Sequence, residues 1–188
     1  MVINLETAVE FLKSRDNFLI LTHSHPDGDT LGSAFALKYA LEALGKSANV
    51  RCNDTIAKKF DYLGKVCGDE CAFDTLVAVD VADTKLLGKD FEEKFADRIE
   101  LCIDHHGSNR MFAERTLLEA KAAAACEIIL EVIHALGVKP TKQIADCIYT
   151  GISTDTGCFR YSNVTPRTMR MAAEMIECGA DNVTINTV

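Results

Sequence analysis

Asn17-Phe18-Leu19-Ile20-Leu21-Thr22-His23-Ser24-His25-Pro26-Asp27-Gly28-Asp29-Thr30-Leu31-Gly32-Ser33 decides how this chain of 188 residues reads. Its first five residues form an apolar run of strand length. Beyond it, Leu31, Ala34, Phe35, Leu37, Leu41 and Leu44 recur at helical spacing. The polar residues between them therefore occupy a strand-to-helix loop, which in an open α/β sheet lies at the carboxyl end of a strand, where ligands bind. An imidazole and two carboxylates, His23, Asp27 and Asp29, crowd into this loop. Pro26 stiffens the turn, and Gly28 permits the backbone angles that let the two acids converge. Taken alone the loop supports two readings. The three residues hold a divalent cation, or the acids cap the helix that begins near Thr30, where exposed amides and the helix dipole favour Asp.

A second loop tips the balance toward a metal. Thr75-Leu76-Val77-Ala78-Val79-Asp80 is an apolar, β-branched run of the kind buried in parallel sheets, and it delivers Asp80 at its carboxyl end. Arg98 to Ile103 reads as a further strand and ends in Asp104-His105-His106-Gly107-Ser108-Asn109. Of five histidines, four fall in the two loops; the other, His134, lies on a predicted helix from about 122 to 136 and reads as structural. Asp155 stands among small residues in Gly151-Ile152-Ser153-Thr154-Asp155-Thr156-Gly157, which allow close backbone approach. On its own such an acid is more often a cap or turn residue.

The remaining pattern alternates strands with helices. It predicts an amphipathic helix over 4–14, a helix from about Thr30 to Leu44 closed by Gly45, a strand Ala48 to Cys52, and a helix over 55–63 capped by Asn53-Asp54. A turn at Lys85 to Leu87, a charged helix from about Asp90 to Ala96, a short strand at Thr116 to Glu119 and a helix from Lys142 to Ser153 follow. Thr165-Pro166 opens a last helix that Gly179 ends, and residues 181–188 carry no closing signal. The fold class is α/β, a mostly parallel sheet with helices on both faces, in one layered domain.

Composition narrows the partners. A net charge of −8 argues against gripping long duplex nucleic acid by counterion release, yet divalent cations can recruit a small phosphorylated substrate locally. No run of 18 apolar residues indicates a membrane span, and the first residues lack the pattern of a signal peptide, so a cytoplasmic location is expected. The eight cysteines are scattered without a Cys-x-x-Cys pair and read as reduced thiols, mostly in the core. The pattern leaves room for a homodimer.

His23-x-x-x-Asp27-x-Asp29, Asp80, Asp104-His105-His106 and Asp155 in Ser-Thr-Asp-Thr-Gly resemble the four ordered motifs of the DHH phosphoesterase superfamily, over roughly residues 17 to 170. Loop detail is most similar to its oligoribonuclease (nano-RNase) and pAp-phosphatase branch: Pro-Asp-Gly-Asp-Thr-Leu-Gly-Ser, Ser108-Asn109 after Asp-His-His, and Thr-Asp-Thr-Gly-Cys-Phe-Arg-Tyr-Ser followed by Thr165-Pro166-Arg167-Thr168. The resemblance implies a centre of two manganese ions, with Mg²⁺ or Co²⁺ as substitutes. His23 and Asp27 would hold one ion, Asp29, His105 and Asp155 the other, and Asp80 both. It implies that His106 contacts phosphate oxygens or donates a proton, that Asp104 orients a ring nitrogen, and that Arg160 contacts phosphate. The implied activity is hydrolysis of short oligoribonucleotides to 5′-mononucleotides and dephosphorylation of pAp. Inorganic pyrophosphatase, exopolyphosphatase, cyclic-dinucleotide phosphodiesterase and a silent nucleotide-binding module are the alternatives. The chain departs from the pattern at His25, for which no ligand role is expected. Nothing like the smaller, basic substrate-binding domain of such enzymes appears before Val188, so residues 1–188 are expected to be the catalytic domain, either as the amino-terminal piece of a longer protein, the favoured reading, or as an unusual relative.

Overall fold

The apolar runs pair as five parallel strands: β1 (Phe18–Leu21), β2 (Ala48–Arg51), β3 (Thr75–Val79), β4 (Leu101–Asp104) and β5 (Arg115–Leu118). They lie in the order β2-β1-β3-β4-β5, with Ile20 in register with Val50 and Val77. This computed structural model describes residues 1–187. From β1 the chain steps outward to β2, and from β3 it steps the other way to β4, so the sheet reverses direction between β1 and β3. Outside the carboxyl ends of two such strands lies the crevice where open α/β sheets bind ligands.

Right-handed crossovers taken in opposite directions place their helices on opposite faces. Accordingly α2 (Gly28–Ala43) and α3 (Lys89–Phe95) cover different sides of the sheet. Phe18, Ile20, Val77, Val79, Leu101 and Ile103 pack with α2, α1 (Leu5–Ser14), α4 (Ala125–Ala135) and α5 (Lys142–Asp155). The alternate residues Leu19, Leu21, Leu76, Ala78 and Cys102 pack with Phe91 and Phe95 of α3. Helices on both faces are present as expected, but the α3 face has one short helix and the other carries the main core. Helix α2 is buried on nearly every side because α5 covers its outer surface. At Gly32 the two helices come so close that a Cβ would run into the Cys147 carbonyl. The amphipathic α6 (Pro166–Glu177) follows, begun by Thr165 in a capping box with Thr168.

Several expectations need correction. No helix forms over 55–63, only a 3₁₀ turn at Lys58–Phe60. The carboxylate of Asp54, expected to cap that helix, instead accepts the amide of His25 at 2.9 Å, which leaves the helix start without its partner. The strand expected from Arg98 begins at Leu101, because Ala96–Arg98 continues as a 3₁₀ turn. The tail is not featureless: Asp181 caps α7 (Asn182–Ile185), whose Ile185 is buried. Val188 lies outside the described residues. Only Cys102, Cys126 and Cys147 are core thiols; Cys158 is exposed and the other four are half-buried. Among the described residues no helix is long and apolar enough to cross a membrane.

Candidate metal centre

Four segments that end at the carboxyl edge of the sheet bring six donor side chains together. His23 follows β1, Asp27 and Asp29 open α2, Asp80 follows β3, His105 follows β4 and Asp155 ends α5. Asp80 adopts φ 57°, a left-handed angle that costs a non-glycine residue about 1–2 kcal/mol. Its surroundings hold it there: its amide continues the ladder to Ile103 at 2.9 Å, and its side chain is buried between two imidazoles. Asp80 Oδ2 lies 3.6 Å from His23 Nε2, and Asp80 Oδ1 lies 3.6 Å from His105 Nε2. One carboxylate thus faces two ring nitrogens through its two oxygens.

The rings are held from behind. His23 Nδ1 is 2.7 Å from the Ser24 carbonyl and His105 Nδ1 is 3.1 Å from the Ala122 carbonyl. A carbonyl accepts only from N–H, so each neutral ring carries its proton on Nδ1 and turns the Nε2 lone pair inward, the arrangement metal-bound histidines adopt. Asp27 is the cap that the sequence allowed, and it also faces His23. Its Oδ1 accepts the amides of Asp29 and Thr30, capping α2, and lies 3.7 Å from His23 Nε2. Asp29 is no cap of its own helix. It is fully buried, and its two oxygens accept the amides of Ala125 and Cys126 at the start of α4, at 2.6 and 2.9 Å. Asp155 Oδ2 approaches His105 Nε2 to 3.3 Å. Gly151, one turn earlier on α5, lets this helix pack against Asp29 and Cys126: a Cβ there would come within 2.6 Å of Asp29 Oδ1 and closer still to Cys126 Sγ.

The donors fall into three groups whose atoms lie within 4.8 Å of one another: His23, Asp27, Asp80; Asp29, His105, Asp155; and Asp80, His105, His106. A cation fits this arrangement by a physical test. Asp80 Oδ1 and His105 Nε2 are buried and have no hydrogen-bond partner, which costs about 1–3 kcal/mol per group unless something fills the gap between them. Hard carboxylate oxygens with imidazole nitrogens suit divalent ions of the Mg²⁺, Mn²⁺ and Co²⁺ kind. Proton affinities reflect the crowding. Burial opposes charge on His23, but Asp27 and Asp80 outweigh it and raise the pKa to about 11. For His105, Asp155, Asp29 and Asp80 likewise outweigh burial, raising it to about 10. Burial first, then neighbouring carboxylates, pushes Asp29 and Asp80 up.

His106 is built differently. Its Nδ1 is held by Asp104 Oδ1 at 2.8 Å, so the donor it would offer the third group is already taken, and Asp104 raises its pKa. Asp104 is fully buried, and its other oxygen accepts Asn109 Nδ2 at 2.7 Å. Burial works against its ionised form, but His106 and Asn109 keep its pKa low. Sequence reasoning missed the supporting role of Asn109, although Ser108-Asn109 was in view, and it missed the backbone amides that seat Asp29, which no side-chain motif encodes. Arg160 is exposed and donates Nε to the Gly157 carbonyl at 2.6 Å; none of its described contacts ties it to the cluster. His25 turns outward to Asp54, and His134 pairs with Glu174.

The model of the DHH family, N-terminal domain, matches residues 17–152, most of the chain and every donor except Asp155. The chain belongs to the DHH family. The bifunctional oligoribonuclease and PAP phosphatase NrnA of Thermus thermophilus is 36% identical over 182 residues, covering 93% of this chain and 54% of that protein. This DHH chain spans about half the length of the curated relatives it matches. Its fold is that of an exopolyphosphatase-related protein from Bacteroides fragilis, with TM-score 0.86 at 22% identity over 96% of this chain and 58% of that one. It is also similar to the exonuclease RecJ bound to manganese, with TM-score 0.57 at 17% identity over 92% and 47% of the two chains.

Proposed function

We propose that this DHH chain carries the catalytic centre of a manganese-dependent phosphohydrolase that cleaves short oligoribonucleotides to 5′-mononucleotides and removes the 3′-phosphate from pAp. One observation carries the reaction class: the two oxygens of buried Asp80 face the inward nitrogens of His23 and His105, so one carboxylate serves both halves of a paired site. The substrate class rests on motif detail and on likeness to the Thermus thermophilus relative named for both activities.

In this reading His23, Asp27 and Asp80 would hold one ion, and Asp29, His105 and Asp155, with Asp80, would hold the other. Such ions polarise a phosphoryl group and lower the pKa of an attacking water. Four carboxylates against two divalent charges leave the centre near neutrality, so an anionic phosphate is not repelled. His106 has its Nδ1–H anchored on Asp104, which keeps the imidazolium favoured and leaves Nε2 free to donate to a phosphate oxygen or to the departing oxygen. Asn109 holds Asp104 in turn.

The test is Mn²⁺-dependent product release from pAp, an RNA dinucleotide and pyrophosphate, run in parallel on this chain. Turnover of pAp or the dinucleotide supports the proposal. Turnover of pyrophosphate alone moves the chain to a pyrophosphatase role, and retained activity in both Asp80→Ala and His105→Ala contradicts the centre.

A further inference from the structure

Arg167 lies in the first turn of α6, outside the ring of donors, and gathers three carboxylates. Its guanidinium contacts both oxygens of Glu119, with Nη2 at 3.1 Å from Oε2; Nη2 also lies 3.1 Å from Glu131 Oε1, and Nε 3.5 Å from Glu127 Oε2. Glu127 is buried, and its Oε1 has no hydrogen-bond partner. As a way of joining helices this is poor value, since well-packed apolar residues usually close such a contact at least as well as buried ions.

The position of its partners supplies the reason. Glu119 and Glu127 bracket Ala120-Lys121-Ala122-Ala123-Ala124-Ala125-Cys126, a run in which every side chain but that of Lys121 is small and can make few contacts of its own. That run furnishes the backbone behind half the centre: the Ala122 carbonyl sets the His105 ring, and the amides of Ala125 and Cys126 seat Asp29. Asn163 Nδ2 donates to the Ala123 and Asp155 carbonyls, both at 3.1 Å, tying the same run to the third donor. At its start the Glu119 amide donates to the Asp104 carbonyl.

We propose that Arg167 is a positioning residue of the metal centre. By gripping both oxygens of Glu119 and standing as the counter-charge of Glu127, to which its Nε makes no hydrogen bond, it fixes residues 119–127, and their backbone orients His105 and Asp29. The effect is confined to the Asp29–His105–Asp155 half, because His23 and Asp27 are seated by Ser24 and by α2 itself. The proposal rests on the two-ion reading of the centre.

The test is calorimetric Mn²⁺ binding to the metal-free full chain, for wild type, Arg167→Ala, Arg167→Lys and, as markers of each half, Asp155→Ala and Asp27→Ala. Wild type is expected to bind two ions. Arg167→Ala should weaken one of them by roughly 10–100-fold, the usual cost of losing an outer support, with an isotherm like that of Asp155→Ala and unlike that of Asp27→Ala. Arg167→Lys, which keeps the charge without the fork, should recover part of the loss. If Arg167→Ala does not fold, Glu127→Gln with Arg167→Gln removes the buried charge together with its partner and is read the same way. Two ions bound to the variant as tightly as to wild type, or both weakened equally, overturns the clamp alone. A wild-type chain that takes up no Mn²⁺ overturns the centre and the clamp with it.

Discussion

On the inner side of the centre Asp29 is fully buried, both its oxygens are taken by amides of α4, and His105 is turned by the Ala122 carbonyl. On the outer side Asp27 is 53% exposed, and a single oxygen both caps α2 and faces His23. Asp80 reaches both sides. The inner half has its geometry set by tertiary structure from three separate elements, whereas the outer half is set by one loop and the helix it opens. A site made this way is firmly seated on one side and leaves the other, together with the 45% exposed His106, open to solvent.

The largest expected effect removes what the halves share. Asp80→Ala should lower phosphoesterase turnover by on the order of 10³-fold or more and abolish paired metal binding, while circular dichroism stays native; a modest loss would mean that the halves work independently. Next is His106→Ala, for which a loss of about 10²–10⁴-fold in kcat is expected if it donates a proton or stabilises charge, with metal binding intact. Asp104→Asn should cost less, about 10–100-fold, and should shift the acid-to-base crossover of the pH–rate profile downward, because the carboxylate no longer supports the imidazolium.

The pH dependence of the metal-free chain sharpens the comparison further. His23 and His105 have folded pKa values raised to about 11 and about 10, so the stability they add is full below about 6.5 and is lost as pH rises through those values. Asp29 and Asp80, raised by burial, penalise the fold once pH exceeds the ordinary carboxylate range. Both trends run the same way. The metal-free chain should lose Tm on going from pH 6.5 to 9, and protection by saturating Mn²⁺ should grow over that interval, with protons released on binding. Protection that is flat or shrinks with pH contradicts this.

The smallest effects concern glycines. Gly151→Ala drives a Cβ into Cys126 and Asp29 and should cost about 1–3 kcal/mol by chemical denaturation while weakening the inner ion. Gly107→Ala, beside His106 with only Ala120 at 3.6 Å, should stay within about 0.5 kcal/mol of wild type.

Much of this was legible in the sequence because short parallel strands buried on both faces must be almost wholly apolar, so β1 and β3 and the polar residues that follow them stand out. The six side chains that the family resemblance implies as donors do come together in space, although Asp155 alone carried no such signal. Pairing order was less accessible, since nothing local says that β2 lies at the edge beside β1. The helix expected over 55–63 failed for a tertiary reason: its capping acid is engaged by a residue 29 positions earlier. Supports made of backbone, such as the Ala122 carbonyl and the α4 amides, leave no side-chain signature. Asn109 and Arg167 were in view but lacked a role until their partners, distant in sequence or buried, were seen.

The most direct test of the central claim is electron paramagnetic resonance of the Mn²⁺-loaded chain, read with metal content. Two Mn²⁺ per chain with an exchange-coupled signal, collapsing to an uncoupled signal in Asp80→Ala, is the result expected of two ions sharing one carboxylate. A single uncoupled Mn²⁺ in the wild-type chain, unaffected by removing Asp80, would contradict it.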